Sequence, residues 1–297
     1  MVVLLNSLES IFRSFRAIAL LVTPLKYYRN DPPGYTPAAF STILRNVKTK
    51  RIRKTPLHWE LACTYTNEIR HTHIYLRHPF DPTKPSVVFH HPSGETNHAF
   101  AFNVILGDRI ASRCNVFLIK AQKHNSTNEF LRECVDTFLH HQLTFAGSTL
   151  AAQEIVNYHR AHSKTKIVIS GASMGGIITT MHAYFFGSAD YYVPLAAYPN
   201  VGKIFLGSSY KYGISNWRTL RTRASYLRSF DLPRALKPSL AKRITPVLGI
   251  YDNIVPYSDA SKFWNQKGVS FKAFPYGHFT PAIKRQKVQQ IILTAIT

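Results

Sequence analysis

One short segment, residues 166–176, constrains the fold of this chain more than any other. It reads Lys-Ile-Val-Ile-Ser-Gly-Ala-Ser-Met-Gly-Gly, so an apolar, β-rich run is followed by the pattern Gly-x-Ser-x-Gly. Between a strand and a helix, this pattern makes a sharp turn that forces Ser173 into a strained backbone conformation, and only small residues such as Gly171 and Gly175 fit beside it. The segment therefore predicts a buried parallel strand, an exposed nucleophilic serine, and a helix over residues 177–186.

The other apolar runs alternate between strand and helix patterns. Residues 57–66 and 71–77 read as two strands around a turn at 67–68, which predicts an antiparallel hairpin. Further strands are predicted at 86–90, 115–119, 191–197, 246–251 and 269–274, and further helices at 100–111, at 129–161 and from about 280 onward. Such alternation is typical of the α/β class, with a mostly parallel central sheet, an antiparallel N-terminal hairpin and helices on both faces.

One interval interrupts this alternation. Residues 200–243 carry ten Lys or Arg and one acid, Asp231. They also hold large aromatic residues, among them Tyr210, Tyr212, Trp217, Tyr226 and Phe230. An insertion of this size beside an active site usually forms a lid, and the alternative is a surface excursion without a role in substrate binding. We therefore expect one α/β domain over residues 31–297 with a cap insertion at about 200–243.

Residues 1–30 form a separate N-terminal element. Apolar residues recur at four- and three-residue spacing, as on one stripe of an amphipathic helix, and they are Leu4, Leu8, Ile11, Phe15, Ile18 and Val22. Three interpretations stay open for residues 1–29: docking on the domain's own surface, binding at a membrane interface, and an organelle-targeting presequence. No apolar run reaches the ~18–20 residues that span a bilayer, so a transmembrane anchor is not expected.

Composition limits the classes of partner. The chain has 37 Lys and Arg against 15 Asp and Glu, a net charge of +22. This excess favours an anionic membrane surface or acidic substrate, unless it serves solubility alone. Nucleic acid is disfavoured, because no helix-turn-helix, zinc-finger or RNP-like pattern accompanies the charge. Three scattered cysteines predict neither a disulfide framework nor a Cys-based metal cluster, so we favour an intracellular location and expect no metal or cofactor. The oligomeric state stays open.

Two short patterns in the N-terminal third invite a functional interpretation. Residues 48–54 read Lys-Thr-Lys-Arg-Ile-Arg-Lys, but without interleaved aromatic residues they predict a solvated stretch leading into the sheet. His71 and His73 share one face of a predicted strand. No third ligand follows at a suitable spacing, so we expect the surface of an edge strand and no metal site.

An acid and a base follow two of the later strands. A serine hydroxyl needs a base within hydrogen-bond reach, and that base is oriented by a carboxylate. In a parallel sheet these groups lie just past the carboxyl ends of strands. Asp252 directly follows the run 246–251, and His278 follows the last predicted strand. We therefore expect Ser173 as the nucleophile, His278 as the base and Asp252 as the acid, with Asp259 as the alternative acid.

With its residues in this order, the chain resembles the α/β-hydrolase superfamily over roughly residues 57–297. The resemblance rests on the turn at 171–175, on Asp-Asn-Ile-Val-Pro at 252–256, and on the Gly277-His278 loop. Residues 192–217 are also faintly similar to poorly characterised abhydrolase-domain proteins. The resemblance implies an α/β-hydrolase fold and a serine hydrolase of the esterase or lipase kind.

The resemblance also implies an oxyanion hole of two backbone N–H groups. One donor should be Met174, the residue after the nucleophile. The loop at 91–95, His-Pro-Ser-Gly-Glu, resembles the His-Gly-x-Gly-Glu loop of many lipases and esterases and should supply the other. Pro92 replaces a glycine of that pattern and has no N–H, so the second donor is expected at Ser93 or, alternatively, at Gly94.

The leading hypothesis is a serine hydrolase that cleaves an acyl ester through an acyl-enzyme. Its expected substrate is a small-molecule ester that is lipid-like or anionic. The same triad would serve an acyltransferase, a thioesterase or a peptidase. A non-catalytic binding protein of the same fold is a further alternative, because a fold alone does not fix function.

Overall fold

The fold is that of a computed structural model of the chain. The structure describes Ile11 and residues 25–297, apart from 222, 224, 225, 227, 231 and 233–235. Except for Ile11, an exposed helical residue, the predicted N-terminal stripe lies outside the described residues, as does Asp231.

The described residues form one sheet of nine strands in the order β1-β2-β3-β5-β4-β6-β7-β8-β9. The strands are β1 (Lys48–Lys54), β2 (His58–Tyr65), β3 (Glu68–Leu76), β4 (Ser86–His90), β5 (Asn115–Lys120), β6 (Ile167–Ala172), β7 (Tyr191–Leu195), β8 (Val247–Gly249) and β9 (Lys272–Phe274). The first three strands and the β3–β5 pair run antiparallel. From β5 to β9 all pairs are parallel. The predicted α/β class, with a mostly parallel sheet and an antiparallel N-terminal part, is confirmed.

The antiparallel part is larger than the predicted hairpin. Residues 48–54, expected as a solvated stretch leading into the sheet, form the edge strand β1, which pairs along β2. Every residue of β1 is exposed, so its sequence lacks the apolar alternation that marks a strand. Because β3 pairs with β2 on one side and with β5 on the other, it lies inside the sheet, and the prediction that His71 and His73 lie on an edge strand is wrong.

The helices are α1 (Phe40–Asn46), α2 (Phe100–Ile105), α3 (Gly107–Ala111), α4 (Phe138–His162), α5 (Met174–Phe185), α6 (Val201–Gly207), α7 (Tyr257–Gln266) and α8 (Arg285–Ile296). Single α-helical turns span Thr127–Glu129, Trp217–Leu220 and Pro238–Ala241, a π turn spans Phe130–Cys134, and 3-10 turns span Ser209–Gly213 and Pro281–Lys284. The helix predicted at 100–111 is interrupted because Gly107 has a φ of 53°, which an α-helix cannot accommodate.

Each parallel strand divides its side chains between two apolar layers. On β4, Val88 packs with the layer that contains helices α1, α4, α5 and α7, whereas Val87 and Phe89 pack with α2, α3 and α8. The alternation follows from the two-residue repeat of a strand. Because both faces are covered, the central strands are buried along their whole length, as β4 and β6 show.

The described part of the 200–243 interval packs mainly on one side of the sheet. Ile214 bridges to Tyr27, and Phe205 and Tyr210 contact the ring of the same tyrosine. Further along, Phe230 is buried against Phe40, Phe138 and Phe145. The interval is therefore anchored to the segment before β1 and to the start of α4. Among the residues that the structure describes, no helix combines the length and the apolar character that crossing a bilayer requires.

Candidate active site

Ser173 lies at the sharp turn between β6 and α5. Its φ is 54° and its ψ is −113°, a region that costs a non-glycine residue about 1–3 kcal/mol. The strained conformation is held from both sides: Ser173 N–H donates to the Leu195 carbonyl at 2.9 Å, and the Ser173 carbonyl accepts from Ile177 N–H at 3.0 Å. The turn therefore projects the hydroxyl away from the sheet at the carboxyl end of β6.

The glycines on either side of Ser173 are required by close backbone approaches. A Cβ atom at Gly171 would lie 2.5 Å from the Gly175 carbonyl carbon, and one at Gly175 would lie 2.1 Å from the His90 carbonyl oxygen. Neither neighbour can move aside, since both are backbone atoms of the sheet and the turn. A larger side chain would push α5 away from β6 if placed at Gly171, and away from β4 if placed at Gly175.

A continuous hydrogen-bonded chain links Ser173, His278 and Asp252. His278 Nε2 lies 2.9 Å from Ser173 Oγ, and His278 Nδ1 lies 2.8 Å from Asp252 Oδ2. An Nδ1–H that donates to the carboxylate leaves Nε2 as the acceptor of the serine hydroxyl proton. The two ring contacts therefore define one tautomer, in which the imidazole can act as a base toward Ser173.

Asp252 is held in place by the backbone that follows it. Its Oδ1 accepts the N–H groups of Ile254 and Val255 at 2.9 and 2.8 Å, and its side chain is 1% exposed. The loops after β8 and β9 are tied together, because Tyr251 N–H donates to the Tyr276 carbonyl. Asp259, the alternative acid in the sequence, lies exposed in the first turn of α7. The carboxylate that His278 contacts is that of Asp252.

The serine opens into a cavity of about 370 Å³ at the carboxyl ends of β4, β6 and β7. Such a volume lies in the range of small-molecule sites. The loop after β4 contributes Ser93 and Gly94 to the wall, so the structure brings both expected donor residues to the cavity. Met174, the other expected donor, is the first residue of α5. The N–H groups of the first turn of a helix have no acceptor within the helix.

Two buried histidines at the end of β4, which the sequence analysis did not assign, support this loop. His90 donates from Nδ1 to the His91 carbonyl and accepts from Ser148 at Nε2. His91 donates from Nδ1 to the Pro92 carbonyl and accepts the Ala121 N–H at Nε2. Burial lowers the pKa of His90 to about 3 and that of His91 well below its usual value. Both rings are therefore neutral, and they fix the backbone of the loop. The feature of the sequence that could have indicated this role is the pair of adjacent histidines at the end of an apolar strand.

Glu95 adds a carboxyl group to the wall of the cavity. Its Oε1 accepts the Ala101 N–H at 3.1 Å, at the start of α2. Burial raises the pKa of Glu95 to about 7, an effect that its backbone hydrogen bonds only partly oppose. Tyr210, from the 3-10 turn after α6, lines the same cavity, so the 200–243 interval reaches the site through this residue.

His71 and His73 contact residues that do not line the cavity. His71 pairs with Glu60 across the β2–β3 ladder, and His73 lies 3.2 Å from His58. Within the described ranges, no group of three or more His, Cys, Asp or Glu side chains is arranged to hold a metal ion.

Comparison with known proteins identifies the fold. No protein-family model matches the chain, and no curated protein matches it significantly. Among solved structures, acetyl xylan esterase 1 from Thermoanaerobacterium sp. aligns at 14% identity over 89% of this chain and 96% of its own, with a TM-score of 0.59. An acylaminoacyl peptidase from Pyrococcus horikoshii aligns at 13% identity over 86% of this chain and 42% of its own, with a TM-score of 0.55. Brefeldin A esterase, a bacterial protein, aligns at 13% identity over all of this chain and 86% of its own, with a TM-score of 0.51. At these identities the likeness establishes the α/β-hydrolase fold.

Proposed function

We propose that the protein is a serine hydrolase that cleaves acyl esters of small-molecule or lipid-like alcohols, with Ser173 as the nucleophile. The observation that carries this proposal is the hydrogen-bonded chain from Ser173 through His278 to Asp252. It lies at a strained turn facing a cavity. The likeness in fold to acetyl xylan esterase and brefeldin A esterase supports the same class of reaction.

In the first half of the reaction the ester is converted into an acyl-enzyme. Ser173 Oγ attacks the ester carbonyl while its proton passes to His278 Nε2. The resulting imidazolium is stabilised by the Asp252 carboxylate, which is nearly buried and therefore little screened by solvent. His278 then donates the proton to the departing alcohol oxygen, and the acyl group stays on Ser173.

In the second half, water replaces the alcohol. His278 takes a proton from the water, whose oxygen attacks the acyl carbonyl, and the acid leaves as Ser173 recovers its proton. The negative charge that develops on the carbonyl oxygen at each step needs backbone donors. We assign these to Met174 N–H and to the N–H of Ser93, with Gly94 as the alternative.

The wall of the cavity favours an uncharged, mainly apolar acyl or alcohol group. Side chains of Phe100, Val104, Ile105, Leu195 and Phe279 line it, and apolar walls reward the burial of hydrocarbon. Tyr210 is the contribution of the 200–243 interval. Because Tyr210 lines the cavity, we propose the interval as a cap over the site. We also propose its basic residues as a surface that binds anionic membranes.

Labelling with a fluorophosphonate probe tests the proposal, because the probe reacts with serines activated by a neighbouring base. We expect labelling of the wild-type protein and none of Ser173→Ala. Ser188→Ala is the matched control. Ser188 donates a hydrogen bond to Gln153 of α4 and does not line the cavity, so this variant should label as the wild type does. Wild-type protein that is folded by circular dichroism and remains unlabelled would overturn the assignment of Ser173.

A further inference from the structure

The cavity differs in charge from the rest of the protein. The chain carries a net charge of +22, yet no Lys or Arg is among the described residues that line the cavity. The one Asp or Glu among them is Glu95. The general surface therefore attracts anions at long range, whereas the site itself offers them a carboxyl group and no cation.

Glu95 is fixed where a substrate must pass. It is half-buried and belongs to the same loop as Ser93 and Gly94, which line the cavity beside Ser173. Its hydrogen bond from Ala101 N–H holds the carboxyl at the N-terminal end of α2, and α2 supplies Ala101 and Ile105 to the cavity wall. The carboxyl group cannot turn away from the cavity without giving up that hydrogen bond.

We infer that Glu95 determines specificity by rejecting esters that carry a negative charge, so that the enzyme selects uncharged acyl esters. This inference rests on the proposed esterase activity. An ionised Glu95 and a substrate carboxylate would lie together in a site with reduced access to water, where like charges repel strongly. The anionic substrate that the net charge suggests is thereby excluded from the cavity, although an anionic surface remains compatible with the exterior.

The selectivity should depend on pH. The pKa of Glu95 is raised to about 7 by burial, so the carboxyl is mainly neutral in mild acid and mainly ionised in mild base. The other titratable groups among the described lining residues are His278, from the loop after β9, and Tyr210, from the turn after α6. Attack on either ester needs the same base, so any effect of pH on that step changes both rates by the same factor. A ratio of two rates at one pH removes that common factor and isolates Glu95.

The test compares two esters that differ in one terminal group. We would measure kcat/KM for 4-nitrophenyl hexanoate and for the mono-4-nitrophenyl ester of adipic acid, which carries a carboxylate at the end of the same chain. In the wild type, the preference for the hexanoate should increase roughly tenfold between about pH 5.5 and about pH 8.5, as Glu95 ionises. In Glu95→Gln the preference should be smaller than in the wild type at about pH 8.5 and should not vary with pH.

Two controls separate this effect from changes in fold or in overall charge. A glutamine carbonyl can still accept the Ala101 N–H, so Glu95→Gln should keep the loop in place, and the ratio of the two rates within each variant cancels any general change in activity. Asp108→Asn removes one charge from a side chain that is 97% exposed, and it should leave the wild-type pH profile of the ratio unchanged.

Each outcome decides one of the two proposals. If the wild-type ratio is constant with pH, or if Glu95→Gln keeps the wild-type preference at about pH 8.5, the role of Glu95 is wrong and the esterase proposal stands. If folded wild-type protein hydrolyses neither ester, the proposed function fails and the inference fails with it. If Glu95→Gln does not fold, the pH dependence of the wild-type ratio still decides the question.

Discussion

At the scale of single residues, the strained backbone of Ser173 is maintained by its surroundings. A positive φ costs a serine about 1–3 kcal/mol, and the Leu195 carbonyl of the neighbouring strand helps to hold it by accepting a hydrogen bond from Ser173 N–H. The close contact between Gly175 and the end of β4 brings the turn against the loop that carries Ser93. The same contact therefore positions the nucleophile relative to the candidate oxyanion donors.

The substitution Gly175→Ala should disrupt this arrangement. The added Cβ would lie 2.1 Å from the His90 carbonyl oxygen, so β4 and α5 would have to separate. We expect a loss of several kcal/mol in the free energy of unfolding, together with loss of probe labelling at Ser173. Urea denaturation followed by circular dichroism measures the first quantity.

Gly207→Ala is the matched control for that substitution. Gly207 ends α6, and a Cβ there would have no atom within 4 Å. The replacement should leave stability unchanged or raise it slightly, because alanine favours helix. If Gly175→Ala were as stable and as reactive as Gly207→Ala, the close approach of β4 to the turn would be wrong.

The candidate catalytic side chains could be predicted from the sequence, but most of the cavity could not. Asp252 and His278 were found because the carboxyl ends of parallel strands meet at one edge of a sheet. Their roles as acid and base stay predictions, although the structure brings them together. Glu95 and Tyr210 reach the cavity from loops separated by more than one hundred residues of chain, and no local pattern encodes such a meeting.

At the scale of elements, buried strands were easier to predict than exposed ones. The apolar runs of β4, β5 and β6 matched the structure to within a residue or two, since burial on both faces leaves a continuous hydrophobic signal. The runs at 246–251 and 269–274 shorten to β8 and β9, with three residues each. The polar strand β1 carried no signal at all, because its place in the sheet depends on hydrogen bonds to β2.

The 200–243 interval should depend on Phe230 for its attachment. This ring is 1% exposed and packs against Phe40 of α1 and Phe138 and Phe145 of α4. Phe230→Ala should therefore lower the free energy of unfolding by about 3–5 kcal/mol, as removal of a buried aromatic ring typically does. Denaturant titration measures the change.

The exposed Phe186 provides the comparison for Phe230. It follows α5 with 38% of its surface accessible, so Phe186→Ala should cost far less stability than Phe230→Ala. Equal costs would mean that the Phe230 ring does not anchor the interval to α1 and α4.

At the scale of the whole molecule, six buried histidines of the described residues link stability to pH. Each is at most 1% exposed, and they are His90, His91, His124, His141, His159 and His182. Burial lowers the pKa of His90, His141 and His182 to about 3 and that of His124 to about 4. In the unfolded chain a histidine titrates at about 6.5. The unfolded state therefore binds more protons than the folded state below that pH.

The sign of the effect follows from this difference. The stability contributed by neutral buried histidines is fully present above about pH 6.5 and is lost as the pH falls toward 4, at up to about 1.4 kcal/mol per pH unit for each residue. Glu95 and Asp31 act in the opposite direction, because burial raises their pKa values to about 7 and about 6. With six histidines against two acids, we expect a net loss of stability in mild acid.

Urea unfolding at about pH 7, 6 and 5 would measure this loss. The midpoint concentration should fall steeply across the series, and the slope of the unfolding free energy against pH should correspond to the uptake of several protons. A midpoint that stays constant from about pH 7 to about pH 5 would show that the histidines are not neutral and buried in the folded protein.

The exposed edge strand β1 has a consequence for how copies of the protein meet. Within the part of the chain that the structure describes, β1 ends the sheet with one side of its backbone unpaired by a strand, and such edges can recruit strands from other molecules. Five of its seven residues are Lys or Arg, so a second copy aligned along this edge would place cation against cation. The edge is thus self-repelling, and an added strand would have to be acidic to extend the sheet.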